Sequence, residues 1–444
     1  MPQANDTSRD PAIELDPVRA LQRKLYRAAK QSRSRRFHAL FDKVHRRDFL
    51  WRAWSEVARN GGAPGIDGVT IEAIEESGVG CFLDELSAEL VEGRYRPLPV
   101  RRVTIPKRSG GERHLGVPAV RDRVCQAAVK LVCEPVFEAD FSEVSFGFRP
   151  KRSAHQARER IRAGLREGRR WVVDADIKGF FDNLDKDLLV TMVAERVSDR
   201  RVLELIVGWL RSGVLTRGGL IHPDTGTPQG GVISPVLANV YLNRLDQAWQ
   251  ARYRRLGELT RYADDLVIVC GSKERADQAL ATLRALLAEL GLELATAKTR
   301  LVDLRNPGEG FDFLGYHFQM VPTRLNRRRY FPACWPSQPV MAAAKERVRA
   351  LAPYERIGLP EIMVVGELNA FLRGWAAYFR HGNSTRQFKA LDSFVFERLA
   401  RFIARKHGSR NWRRGVHELT KSSTTLGLYR LAGTVSYPSA HATR

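Results

Sequence analysis

Two adjacent carboxylates, Asp264 and Asp265, stand between a Tyr262-Ala263 pair and the β-prone apolar run Leu266-Val267-Ile268-Val269. Such a run reads as a buried strand, with the dipeptide before it at a strand-to-strand turn. Side chains alternate across a strand, so on regular extended backbone the two carboxylates would point apart. A tight turn instead places one or both at the open end of the sheet, where they are costly to hold together without a cation. A lone Asp-Asp pair is better read as a solvated turn. A second stretch changes the balance: Val172-Val173-Asp174-Ala175-Asp176-Ile177-Lys178-Gly179-Phe180-Phe181-Asp182 is also an apolar strand carrying Asp, followed by a turn glycine. Hard divalent ions such as Mg²⁺ take oxygen ligands and keep positions open for substrate phosphates. Two of them, about 4 Å apart, clamp the attacking and leaving oxygens of phosphoryl transfer. One strand with an Asp and one hairpin with Asp-Asp supply the carboxylates for that chemistry.

Taken in order, Asp176-Ile177-Lys178-Gly179-Phe180-Phe181-Asp182, Gly226-Thr227-Pro228-Gln229-Gly230-Gly231 and Tyr262-Ala263-Asp264-Asp265 resemble a reverse transcriptase palm. More narrowly, the chain resembles the reverse transcriptase/maturase proteins of bacterial group II introns, of the short type without an endonuclease domain. The resemblance runs from about Gly61 to about Trp412. It implies an α+β fold, a right-hand polymerase with fingers and an antiparallel-sheet palm, followed by an α-helical thumb/maturase domain. The implied divisions are a tail and basic helical extension over 1–60, fingers and palm over 61–335, and thumb/maturase with a basic tail over 336–444. The implied activity is RNA-directed DNA polymerisation with two Mg²⁺ ions on Asp176, Asp264 and Asp265, the Ile177 carbonyl being an extra ligand. Alternation puts Asp174 and Asp176 on one face, and the family motif selects Asp176. Implied partners are the parent group II intron RNA, an RNA template with a DNA primer or target, and dNTPs. Splicing assistance and mobility by target-primed reverse transcription follow from the same resemblance. The rival readings are a domesticated enzyme of DNA repair or phage defence, and an RNA-binding maturase alone.

A glycine-bearing hairpin over 96–118 carries Lys107 and Arg113, a point charge and a guanidinium fork that both suit a triphosphate. By resemblance Phe181 is the steric gate against a 2′-hydroxyl, Gln229 contacts the incoming nucleotide or template, and Lys298 lies near the leaving pyrophosphate. The cluster Arg149, Lys151 and Arg152 would meet backbone phosphate, next to Ser153 as a helix cap, and His155 reads as a structural hydrogen-bonder. Further along, Arg327, Arg328 and Arg329 form a basic bridge. Arg373 lies in a maturase-like signature with Trp375, and Arg405, Lys406, Arg413 and Arg414 concentrate charge beside Trp412. Such Arg–aromatic mixtures suit structured RNA.

The elements that must position these residues are readable more coarsely. Helices are expected from Pro17, over 41–57 with Trp51 and Trp54 inward, over 120–137, over 188–211 and over 273–290. A hairpin is expected over 311–318, a chain break over 332–339, and helices beyond. The 444 residues carry 73 Lys+Arg against 50 Asp+Glu, a net charge of +23 that suggests a polyanionic partner rather than a neutral metabolite. The 5 scattered cysteines show no zinc or disulfide pattern, no apolar run reaches membrane-span length, and the N-terminus lacks a signal peptide. A cytoplasmic bacterial ribonucleoprotein is the expected setting.

Overall fold

The computed structural model describes residues 16–106, 112–216, 218–221, 226, 230–323 and 325–436, with backbone alone for 420–426. Asp16 caps the first helix, Pro17–Gln31, by accepting the Val18 N–H at 3.0 Å; Pro17 sits where a missing N–H costs nothing. The expected 41–57 helix is two, Phe41–Val44 and Arg47–Asn60, because Arg46 takes extended backbone between them. Trp54 is buried there, whereas Trp51 is turned outward. The expected 188–211 helix also divides, into Lys186–Ala194 and Arg200–Arg211. The reason lies in the gap: Asp199 caps the second helix and accepts the Leu40 and Phe41 N–H groups, each at 2.8 Å. Phe37 meanwhile bridges to Val197, so the N-terminal segment enters where the helix stops.

Strands in chain order are β1 (Val100–Pro106), β2 (Glu112–Val117), β3 (Trp171–Asp176), β4 (Val214–Thr216), β5 (Gly219–Ile221) and β6 (Glu258–Tyr262). Then follow β7 (Asp265–Cys270), β8 (Arg300–Asp303), β9 (Gly310–Phe313), β10 (Tyr316–Pro322) and β11 (Tyr330–Pro336). They form sheets β2-β1-β4-β5, β6-β7-β3-β8 and β11-β10-β9.

The central sheet β6-β7-β3-β8 is antiparallel and covered on both faces. Val173, Ala175, Leu266 and Ile268 pack into one core with the N-terminal helices, the long helix Val120–Glu138, and the helices Ser234–Ala248 and Lys273–Ala288. Val172, Val267, Val269 and Val302 pack into a second core with the helix Ala154–Arg166, the β9–β11 sheet and the C-terminal helices. Burial on both faces explains why these strands read as continuous apolar runs rather than alternating ones. Asp174, Asp176 and Asp265 share the face of the second core by the same period of two.

The expected break over 332–339 is a correction: Pro332 and Pro336 lie inside β11, paired with Met320 and Tyr316 of β10. Cys334, in phase with both prolines, points its backbone N–H and C=O away from β10, to the Asn383 side-chain oxygen and backbone N–H. The prolines therefore face the free edge, where no ladder bond is lost. Helices Gln338–Leu351, Glu361–Phe379, Thr385–Lys406 and Trp412–Leu426 complete the chain. Val364, Leu368, Leu372 and Phe379 are buried at helical spacing, which makes that stripe core. Among the described residues no helix is long and apolar enough to cross a membrane.

Candidate active site

β6 and β7 are joined by a two-residue turn, Ala263-Asp264, with Tyr262 paired to Asp265. Ala263 has φ of 56°, a left-handed conformation that such turns usually give to glycine. The next pairing across the sheet sets Asp265 directly opposite Asp176, the last residue of β3. Asp264 stands in the turn beside them, and its carbonyl accepts the Ile177 N–H at 3.4 Å. The Asp176 carbonyl in turn accepts from Ala295 at 2.8 Å, and Ile177 bridges Leu294, so the end of β3 is fixed on both sides. Three carboxylates thus gather at one end of the sheet. Asp174 is excluded from the group: it lies opposite Arg300 on β8 and pairs with its guanidinium at 3.1 Å.

What holds the turn is a buried ion pair that sequence reading missed. Arg261 and Asp246 are 1% and 0% exposed, with Arg261 Nε donating to Asp246 Oδ1 at 2.8 Å and Nη2 to the other oxygen. Arg261 Nη1 donates to Asn239 Oδ1 at 3.1 Å and to the Ala263 carbonyl at 3.0 Å, which anchors the strained residue itself. Asn239 and Asp246 are seven residues apart on Ser234–Ala248, hence on one face of that helix. Two polar residues at helical period within an apolar stretch were the available signal.

Crowding shows in the electrostatics. Desolvation, then the charges of Asp264 and Asp176, push the Asp265 carboxyl up to about 7, although the residue as a whole is exposed at the strand end. Asp264 is also raised, by desolvation first and by Asp176 among its neighbours. The Lys298 ammonium hydrogen-bonds Asp176, which raises the lysine. Among the described residues no group of three or more His, Cys, Asp or Glu side chains is arranged to hold a metal ion. Mg²⁺ does not require one: it is held by one or two carboxylates, with waters and substrate phosphates completing the shell. Oxygen-only donors, partly open and mutually repelling, fit that mode.

Around this centre, Arg113 on β2 is exposed, and its charge reaches Asp264, opposing the rise of that carboxyl. Phe181 is half-buried, its ring edge-on to Phe180 at 5.1 Å, in the short helix Phe180–Asn183 just past β3. Gly230 lies so close to β2 that a Cβ there would sit 2.3 Å from the Gly116 carbonyl oxygen, tying the glycine-rich loop to the β1–β2 hairpin. Gln126 fixes the chain two residues further on, accepting the Val232 N–H at 2.8 Å. Lys107 and Gln229 lie outside the described residues.

The basic residues divide into inward and outward ones. Arg149 is a correction: it is buried, paired with Glu138 at 2.7 Å and donating to the Ser145 carbonyl at 2.8 Å, so it braces the loop rather than facing a phosphate. Lys406 also turns inward, onto the Leu359 carbonyl. Arg152 is half-buried over the Phe146 ring at 5.3 Å. Lys151, Arg327, Arg328, Arg329, Arg373, Arg405, Arg413 and Arg414 are exposed. Arg373 lies over Tyr429 and Arg405 over Tyr354. Ser153 caps its helix in a reciprocal box with Gln156, and His155 Nε2 donates to the Tyr378 carbonyl at 2.7 Å, joining the helix Ala154–Arg166 to Glu361–Phe379.

Two family models match the chain. A family model described as "Reverse transcriptase (RNA-dependent DNA polymerase)" matches residues 105–318, and one described as "Group II intron, maturase-specific domain" matches residues 341–427. "Protein YkfC" of Escherichia coli (strain K12) is 33% identical over 350 residues, 70% of this chain and 91% of that protein. "Group II intron-encoded protein LtrA" of Lactococcus lactis subsp. cremoris is 34% identical over 236 residues, 52% of this chain and 39% of that protein.

Proposed function

Because this chain belongs to the group II intron-encoded reverse transcriptase/maturase family, we propose that the carboxylates at the end of β3 and β7 are its polymerising centre. The observation that carries this reading is the register placing Asp176 opposite Asp265 with Asp264 in the adjoining turn. Asp176, Asp264, Asp265 and the Ile177 carbonyl would hold two Mg²⁺ ions. When bound, those ions supply charge neutralisation and activation of a primer 3′-hydroxyl. The reaction is in-line attack of that hydroxyl on the α-phosphate of a dNTP, copying RNA into DNA with release of pyrophosphate.

Each surrounding residue has a separate task in this scheme. Arg113 on β2, together with Lys107, grips the triphosphate, and Gln229 meets the nucleotide or its template base. Lys298 holds its proton beside Asp176, positioned to meet the leaving pyrophosphate. Phe181 closes the floor under the sugar. Replacing Phe181 with Ala is expected to raise ribonucleotide incorporation relative to deoxynucleotide on the order of 10²-fold. Paired incorporation assays with dNTP and rNTP check this, and unchanged selectivity would remove Phe181 from the role.

Fingers and palm would occupy 61–335 and the thumb/maturase domain 336–444. The exposed cations Lys151, Arg327, Arg328, Arg329, Arg373, Arg405, Arg413 and Arg414 are the side chains offered to RNA, with intron RNA as partner in splicing and in target-primed mobility. The net charge of +23 supports a polyanionic partner.

A further inference from the structure

Phe148 has φ of 56°. This is rare for a bulky residue, and such strain persists only where the surroundings enforce it. Nothing is gained by burying the ring, because Phe148 is 54% exposed. The neighbours hold it there. Phe146 donates to the Arg261 carbonyl at 2.9 Å, and the Gly147 carbonyl accepts Asn239 Nδ2 at 2.9 Å. Gly147 approaches the turn so closely that a Cβ on it would lie 2.5 Å from the Ala263 nitrogen. On the other side Arg149 is pinned to Glu138 and Ser145. The loop is thus clamped to the Asp264–Asp265 turn, and Phe148 is displayed from the clamp with its ring 6.3 Å from that of Tyr262.

The sheet order decides which substrate meets that ring. Phe181 follows β3 and Lys298 precedes β8, so these two nucleotide candidates lie on the β3–β8 side of the carboxylates. Phe148 and Tyr262 lie on the opposite side, at β6. In an in-line displacement the strand being extended and the incoming triphosphate approach from opposite sides, with the 3′-hydroxyl over the carboxylates. We infer that Phe148 and Tyr262 form an aromatic platform against the terminal base pair of the primer–template duplex, making Phe148 a specificity-determining residue for the primer end. The inference rests on the polymerase reading of the carboxylate cluster. An aromatic face suits this place because it accepts any base, as template copying requires.

The test is single-nucleotide extension of a DNA primer on an RNA template by wild type, Phe148→Ala, Phe148→Tyr, Phe148→Gly and Asp264→Asn. Primer–template and dNTP concentrations are varied separately, and Tm is recorded for each protein. Phe148→Ala is expected to lose about 10- to 100-fold in extension efficiency toward primer–template, with the KM for dNTP unchanged and less discrimination against a mismatched primer end. Phe148→Tyr restores both. Phe148→Gly shows the same loss at a Tm no lower than wild type, because glycine relieves the strain. Wild-type extension by Phe148→Ala, a change confined to the KM for dNTP, or a loss that follows Tm would each overturn the platform alone. An active Asp264→Asn protein would overturn the polymerase reading of the cluster, and the platform with it.

Discussion

Asp265→Asn is expected to abolish nucleotide incorporation, by about 10³-fold or more, while making the metal-free protein slightly more stable. The two signs have one cause. Asp265 is crowded by desolvation and by Asp264 and Asp176, and its carboxyl is raised to about 7. The folded state therefore binds a proton more tightly than the unfolded chain does. Stability from this group is highest below the unfolded carboxylate range near 4 and is lost as pH rises toward about 7. Asparagine removes that loss. Because solvent reaches Asp265, screening limits the gain to about 1 kcal/mol or less. Thermal melts at pH 5 and pH 8 without divalent ions should show the variant's advantage growing with pH. A variant less stable than wild type at pH 8 would mean the carboxylates do not repel one another as described.

The second large effect falls on the support of the turn. Asp246→Ala leaves the Arg261 guanidinium buried without its counter-charge, at a cost of about 3–5 kcal/mol. The double variant Arg261→Met/Asp246→Leu replaces the pair with apolar groups of similar volume and should recover most of that stability. It should not recover activity, since the bond from Arg261 to the Ala263 carbonyl is gone and the strained turn loses its anchor. Denaturant unfolding of Asp246→Ala and of the double variant, with extension assays beside it, checks both halves. Full activity in the double variant would show that the pair serves folding alone.

The carboxylate cluster was legible because its residues are local in sequence. Asp176 and the Asp264–Asp265 pair each sit at the end of an apolar run whose strand character follows from composition, and the hairpin needs only two residues. The support was not legible, because it is assembled across the chain. Asn239, Asp246 and Arg261 look like ordinary polar residues until a helix and a strand bring them together. Arg149 misled for the complementary reason. In sequence it joins a basic cluster, while in the fold Glu138 and backbone carbonyls claim it. Boundaries failed where tertiary contacts intrude: Asp199 begins a new helix while receiving Leu40 and Phe41, and an edge position lets two prolines stay within β11. Asp174 and Asp176 shared a face by periodicity, and the cross-strand partners Arg300 and Asp265 separate them.

Extension of a DNA primer annealed to an RNA template, by wild type and by Asp264→Ala with both shown to be folded by their melts, tests the central claim most directly. The account predicts incorporation by wild type that falls by about 10³-fold or more in the variant, at a Tm no lower than wild type in the absence of divalent ions. A folded Asp264→Ala protein that extends the primer at the wild-type rate would contradict it, and the centre of catalysis would have to lie elsewhere in the chain.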